Sequence, residues 1–573
     1  MFSMIKKLFF IVLLFNFSAI SAGTSLFAAD NKAMVVSAQH LATDVGVEIL
    51  EQGGNAIDAA VAMGYALAVV NPCCGNLGGG GFMLIHLASG KNTLINFREK
   101  APASLKPEFF IEHSQVNRDK LSQSYSSGGS SSYLGVAVPG TVMGLNTALS
   151  KYGRFPLQKV IAPAIKLARE GYLLTPGDVD ILKIGLESFR TQKNVGEIFL
   201  ENNLTLKVGS RLIQKNLAQT LEKIAQGGTA AFYQGDIAKK IVVASHENGG
   251  VLTEDDFRHY QIREVTPLQC HYRDYDIFTT PPPGGGLTIC EILGIVEAYP
   301  LTHWGFHSAA SLKVMLPAMK IAYEDRNRYL ADPEFEEVPL TTLLSTNYFS
   351  EARKKISSMN KKIPSPTTSE SNNTTSYVVV DEKGNAVSVT YTINNNFGAR
   401  VIAKDTGFFL NNEIDDFTIQ PDTPNSFGLL QGLANLVAPN KRPASSMAPT
   451  MLFHNHQLSI LIGTPGGSTI PSQIVETLQN LIDFNMNPQQ AVDAPRYHYQ
   501  GIPDVVFLEP NSLSLATLEI LQPYYHFQQG SPWGSRQWGA VTAIVKDLKK
   551  QVWLGAMDNR KPAGSAQGLN ITH

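Results

Sequence analysis

Asn372-Asn373-Thr374-Thr375-Ser376-Tyr377-Val378-Val379-Val380 passes within a few residues from a polar segment into an apolar run. A threonine at such a junction has a chemical option that no interior residue has. If the chain is cut before Thr374, its hydroxyl lies beside a free α-amino group. That amine has a reference pKa of about 7.7 to 8.0, so at neutral pH a usable fraction is unprotonated and can take the hydroxyl proton. One residue then supplies both nucleophile and base.

The flanks agree with this placement. Residues 375–381 and 385–393 both read as strands rich in Val, Thr and Tyr, and Asp381-Glu382-Lys383-Gly384 between them is a turn signal with glycine where a positive φ is expected. The result is a predicted hairpin with Thr374 at its open end. Upstream, residues 361–373 hold Pro364, Pro366, several hydroxyls and no apolar periodicity, which suits an exposed, cleavable segment. Taken alone, the pattern is also that of a loop leading into an ordinary hairpin.

At 573 residues the chain exceeds one simple core, and 43% apolar with 17% charged residues is ordinary for globular proteins. Near the amino terminus, Lys6-Lys7 precede the apolar run 8–15, followed by the small residues Ser18, Ala19, Ser21, Ala22 and Gly23. That is the plan of a secretory signal peptide ending near residue 25, with cleavage between Ala19 and Ala29, too short and wrongly flanked for a spanning helix. An uncleaved anchor is the other reading. Removing residues 1–25 leaves 45 basic against 49 acidic residues and moves the formal charge from −2 to −4. Without basic runs interleaved with aromatic residues, nothing suggests a nucleic-acid partner. No later stretch has the length of a membrane span, so a periplasmic or secreted location is expected.

The cysteines are Cys73, Cys74, Cys270 and Cys290. Adjacent Cys73-Cys74 lacks the gap of a zinc knuckle, and a vicinal disulfide there would be strained. Cys270 and Cys290 are read either as a bridge or as buried thiols. Neither HExxH nor GxSxG occurs, which removes the commonest warrants for a zinc protease or an α/β-hydrolase serine.

Along the chain, residues 39–52 and 56–69 read as helices separated by Gly53-Gly54-Asn55, and 82–87 and 92–97 as strands. The middle, 141–359, is expected to be mostly helical, most clearly at 159–170, 212–225, 287–298 and 308–329. Residues 122–132 form a serine-rich loop. After Thr374 strands dominate, with late helices such as 470–482. The Gly78 to Gly81 run is read as close packing, since no βαβ unit with a following acidic residue supports a dinucleotide site.

Several blocks, in order and spacing, resemble those of the gamma-glutamyltransferase (glutathione hydrolase) family of the N-terminal nucleophile superfamily. They are Asn76–Phe82 (NLGGGGF), Phe97–Pro102 (FREKAP), Val138–Thr141 (VPGT), Thr374–Tyr377 (TTSY) and Thr390–Asn394 (TYTIN). They continue with Asn411–Phe417 (NNEIDDF), Asn440–Met447 (NKRPASSM) and Gly463–Ser468 (GTPGGS). The resemblance implies an α/β (α+β) four-layer αββα sandwich. Two subunits would build it jointly after autoprocessing, a large one over 26–373 and a small catalytic one over 374–573. It also implies cleavage of γ-glutamyl amides such as glutathione through a γ-glutamyl-enzyme, with transfer to water, amino acids or dipeptides. No metal or organic cofactor is implied.

The same resemblance assigns roles, each with a physical check. Arg98 matches the clamp on the donor α-carboxylate, which suits a planar guanidinium, and Ser445 and Ser446 match hydroxyl donors to that carboxylate. Asn394, Glu413 and Asp416 match acceptors for the donor ammonium, with Asp416 the main partner and Asp415 a structural neighbour. Thr392, eighteen residues after Thr374 on the partner strand, matches the threonine that orients the nucleophile. Gly466 and Gly467 match the oxyanion donors, each such donor being worth about 2.7 to 4 kcal/mol. Two departures stand out: Ser376 occupies a position where many bacterial relatives carry histidine, and Phe427 takes the place of a lid tyrosine in residues 421–443, so a covered pocket without that hydroxyl is expected. Two readings from other classes share part of the pattern. One is an N-terminal nucleophile acylase acting on β-lactam side chains; the other is an inactive exported binding protein of the same fold, which would stay one chain.

Overall fold

The computed structural model describes residues 31–106, 133–358, 374–419, 425, 429–531 and 538–570. The expected signal segment, the loop 122–132, the cleavable segment 361–373 and Phe427 lie outside the described residues.

Two antiparallel sheets form the centre. The first has seven strands in the order Ser565–Leu569, Ala33–Ser37, Thr375–Val380, Ala386–Thr392, Gly80–His86, Asn92–Asn96 and Arg263–Val265. The second has six: Val552–Met557, Thr542–Asp547, Gln457–Gly463, Thr450–His454, Tyr275–Thr279 and Leu268–Tyr272. Side-chain alternation on the inner strands separates the layers. Val35, Tyr377, Val379, Val387 and Val389 join one core with the helices His40–Glu51, Ala56–Val70 and Leu157–Glu170. Met34, Val36, Val378 and Val380 join a second core with strands of the other sheet and with the helices Gly286–Val296, Ala309–Tyr329 and Ile470–Ile482. The result is the expected αββα sandwich, and residues on both sides of Thr374 supply strands to both sheets.

The predicted hairpin is present as Thr375–Val380 and Ala386–Thr392, with Gly384 at φ 89°. Asp381 locks its closed end: Oδ1 accepts from the N–H groups of Lys383 and Asn385, each at 2.9 Å. Its Oδ2 accepts from Ala56 N at 3.1 Å, placing a carboxylate at the start of the Ala56–Val70 helix, where the helix dipole favours it. That helix is buried on all sides, and its alanines allow close approach to the sheet. The hairpin is therefore anchored at its turn, with Thr374 at the other end.

The expectation of a mostly helical middle needs correction. Arg263–Val265, Leu268–Tyr272 and Tyr275–Thr279 are strands that extend both sheets. Leu268-Gln269-Cys270-His271-Tyr272 carries a period-2 pattern, and Arg273 at φ 53° makes the turn. The strands are short and half-buried, so their apolar signal is weak beside the flanking helices. The helix expected over 212–225 starts instead at Lys215, because Arg211–Leu212 pairs as a strand with Tyr172–Leu173, and helical structure continues to Tyr233 across a kink at Gly228 (φ 59°). The cysteines are joined as Cys73–Cys74 and Cys270–Cys290, the second linking a strand to the helix behind it with Cα atoms 5.8 Å apart. The buried-thiol reading of that pair is thus replaced by the bridge. Among the described residues no helix is long and apolar enough to cross a membrane.

Candidate active site

Thr374 immediately precedes the inner strand Thr375–Val380 of the first sheet and is 8% exposed. Its hydroxyl donates to Thr392 Oγ1 at 3.3 Å, at the end of the neighbouring strand. Thr392 Oγ1 also accepts from Asn394 N at 2.8 Å, which fixes its rotamer and holds Asn394 in a left-handed conformation at φ 75°. The glycine run makes this arrangement sterically feasible. A Cβ on Gly79 would sit 1.9 Å from Thr392 O, and one on Gly78 2.1 Å from Phe409 O. Close packing is therefore what this run provides.

A small cleft opens over Thr374. It is lined by Arg98, Thr392, Asn394, Asp416, Ser445, Ser446 and Gly467, and also by Arg326, Leu429 and Asn425. Seven predicted site residues thus meet around the predicted nucleophile. Gly466 and Glu413 stand just behind. Gly466 (φ 139°) and Gly467 (φ 51°) precede the Ile470–Ile482 helix, both in backbone conformations that side chains avoid. The Gly466 carbonyl is held by Thr469 N at 3.0 Å and Thr469 Oγ1 at 2.8 Å.

Arg98 is the electrostatic centre, with no exposed side-chain surface. Its Nη1 lies 3.1 Å from Glu99 Oε2 and 2.5 Å from Glu413 Oε2, and its Nη2 pairs with Asp416. Burial works against the guanidinium charge, but Glu413, Glu99 and Asp416 hold the proton on it firmly. Burial also raises the carboxyls: Glu99 to about 7, and Glu413 well above its usual range, with Arg98 opposing the shift in both. Asp416 lies at the cleft wall, its carbonyl held by Gln431 Nε2 at 2.8 Å and Asn435 Nδ2 at 2.7 Å. Its Oδ1 accepts from Asn394 Nδ2 at 3.2 Å. Asp415 instead accepts from Asn412 Nδ2 at 2.7 Å and does not line the cleft.

Ser445 N donates to Pro283 O at 2.7 Å, and Ser446 Oγ accepts from Arg326 Nη2 at 3.1 Å. Arg326, in the last turn of the Ala309–Tyr329 helix, escaped the sequence reading because a basic residue at a helix C-terminus is unremarkable by itself. Only its near-complete burial marks it out. Ser376 turns its hydroxyl to Val389 O at 3.0 Å, away from the cleft-lining set.

An αββα sandwich with a threonine leading an inner strand, beside a second threonine and a pocket of paired charges, defines the class of N-terminal nucleophile hydrolases. The chain matches the family described as Gamma-glutamyltranspeptidase over residues 42–568. It belongs to that family. It is 44% identical over 566 residues to the glutathione hydrolase proenzyme of Pseudomonas sp. (strain A14), covering 97% of each chain. It is also 44% identical over 500 residues to the glutathione hydrolase proenzyme of Escherichia coli (strain K12), covering 86% of this chain and 85% of the relative. Among solved structures, a cephalosporin acylase from Bacillus halodurans superposes with a TM-score of 0.83 at 27% identity, covering 98% of this chain and all of the other.

Proposed function

We propose that the protein is an autoprocessed γ-glutamyltransferase and glutathione hydrolase. The observation that carries this is the Thr374 hydroxyl, hydrogen-bonded to Thr392 in one cleft with a buried arginine, an aspartate and paired serines. The precursor matures when Thr374 Oγ1 attacks the Asn373 carbonyl carbon. The peptide nitrogen departs as the Thr374 amine, leaving an ester that water hydrolyses to an Asn373 carboxylate. The large subunit then ends at residue 373 and the small one begins at Thr374.

In turnover the new amine accepts the Thr374 hydroxyl proton as Oγ1 attacks the γ-carbonyl of the donor. Arg98, Ser445 and Ser446 receive the donor α-carboxylate, Asp416 provides negative charge and Asn394 an amide oxygen for its ammonium, and Glu413 pairs with Arg98 behind the cleft wall. The N–H groups at Gly466 and Gly467 stabilise the tetrahedral oxyanion. The leaving amine takes the proton, and water, an amino acid or a dipeptide then attacks the ester. Pairing a cation with an anion in one small cleft suits a zwitterionic head better than an acyl chain lacking an ammonium, which ranks the acylase reading second. The same reading makes residues 1–25 an export signal and places the enzyme in the periplasm or outside the cell.

Intact mass and γ-glutamyl-p-nitroanilide turnover of wild type and Thr374→Ala test this. The expected result is two chains, the smaller starting at Thr374, with nitroaniline release, and an uncut variant slower by at least about a thousandfold, the scale of losing an essential nucleophile. A wild type that stays one chain and turns nothing over would overturn it.

A further inference from the structure

We propose that Arg326 is a positioning residue for donor recognition: by donating to Ser446 it turns that hydroxyl's own proton toward the donor α-carboxylate, and it adds a positive charge with no ion-pair partner beside it. This inference rests on the γ-glutamyl reading above and names which part of the cleft selects the carboxylate.

Arg326 is 3% exposed yet lines the same cleft as Thr374. Its Nη1 lies 3.2 Å from Asn327 Oδ1 and 3.4 Å from Gln431 Oε1, and its Nη2 lies 3.1 Å from Ser446 Oγ. All three acceptors are neutral. Among the described residues no carboxylate lies within ion-pair distance of it, and its buried Nε has no acceptor. Burial pulls its pKa down to about 10, which still leaves it charged at neutral pH.

Arg98 presents the opposite case. Glu99, Glu413 and Asp416 already surround its guanidinium. A carboxylate entering the cleft therefore finds one arginine already paired with carboxyl groups and one whose guanidinium meets only neutral acceptors. Burying an unpaired cation is costly, and an anionic ligand recovers that cost on binding. The hydroxyl chemistry points the same way. A guanidinium only donates, so Ser446 Oγ must accept from Arg326, and its single proton is left to be donated elsewhere. The sequence places Arg326 on a helix far from the serine block, and the fold brings the two together.

Two donors separate recognition from structural support. γ-Glutamyl-p-nitroanilide carries the α-carboxylate, whereas 4-aminobutyryl-p-nitroanilide has the same amide and ammonium without it. For Arg326→Gln, KM for the first donor is expected to rise roughly 10- to 100-fold, the range for losing a charged hydrogen bond, with kcat within a few-fold. The kcat/KM for the second should stay near wild type, so the preference for the carboxylate collapses. Ser446→Ala should reproduce this split, and the double variant should be little worse than either single one. Unchanged KM, or equal losses with both donors, would overturn the proposal. Should Arg326→Gln accumulate only as uncut precursor, Ser446→Ala and Arg326→Lys decide: preference lost in the first and partly kept in the second supports the proposal, and preference intact in Ser446→Ala sinks it. A wild type inactive on γ-glutamyl-p-nitroanilide would instead remove the underlying reading, a distinct result.

Discussion

Three carboxyl groups converge on the buried guanidinium of Arg98, and two of them, Glu99 and Glu413, have no exposed side-chain surface. Ionising all three would leave buried negative charge in excess of the cation, so the cluster keeps a proton. Burial raises Glu99 to about 7 and Glu413 further, against the pull of Arg98. An unfolded glutamate titrates near pH 4.3, so on raising the pH the unfolded chain loses its proton first. The stability this proton provides is complete below about pH 4.5 and is lost as the pH rises toward about 7, with a slope of at most about 1.4 kcal/mol per pH unit for one proton. Thermal melts of the wild type are therefore expected to fall relative to Glu99→Gln across that window, and a constant difference would mean the carboxyl is ionised throughout. Glu413→Gln, which imitates the protonated form, should keep turnover within a few-fold of wild type. At this scale the sequence is legible wherever a residue sits in a motif: the blocks name Arg98, Thr392, Asn394 and Asp416, and the fold brings all four to one cleft. Arg326 is not legible, because its meaning comes from burial and from a contact across 120 positions of chain.

The elements that hold the nucleophile are strands packed backbone to backbone, and glycine is what permits it. Gly79 lies outside the positive-φ region, so a side chain there would be tolerated by its own dihedrals and fails on the contact 1.9 Å from Thr392 O. Gly384, at φ 89° with open space around it, fails only on its dihedrals. Gly79→Ala must therefore displace the strand carrying Thr392, with a stability loss of about 1–3 kcal/mol, typical of overpacking, and a loss of turnover. Gly384→Ala should cost about 1–2 kcal/mol and leave turnover intact. Melting curves with nitroaniline assays on both variants separate the two effects, and equal turnover in the pair would contradict the packing argument. The hairpin at 375–392 was readable because its alternation is strong and its turn is chemically explicit. The hairpin at 268–279 was missed because its strands are short, half-exposed and flanked by strongly periodic helices.

Across the molecule, the segments before and after residue 374 are interleaved rather than adjacent. Ala33–Ser37 pairs with Thr375–Val380 on one side and with Ser565–Leu569 on the other, and Ala386–Thr392 pairs with Gly80–His86. In the second sheet Tyr275–Thr279 pairs with Thr450–His454. Cleavage at Thr374 would therefore cut one peptide bond and leave every one of these ladders and both shared cores in place. The two chains are expected to co-elute as one particle under native conditions, parting only when the sheets unfold. The cysteines sharpen the test, because Cys73–Cys74 and Cys270–Cys290 both lie before residue 374 and the 573-residue sequence has no others. No disulfide can join the two products, so a denaturing gel should show two bands equally well with and without reductant. Co-elution on a native column followed by separation on the non-reducing gel would assign the union to hydrogen-bonded strands and buried apolar surface. Chains that part on the native column would contradict the interleaved sheets.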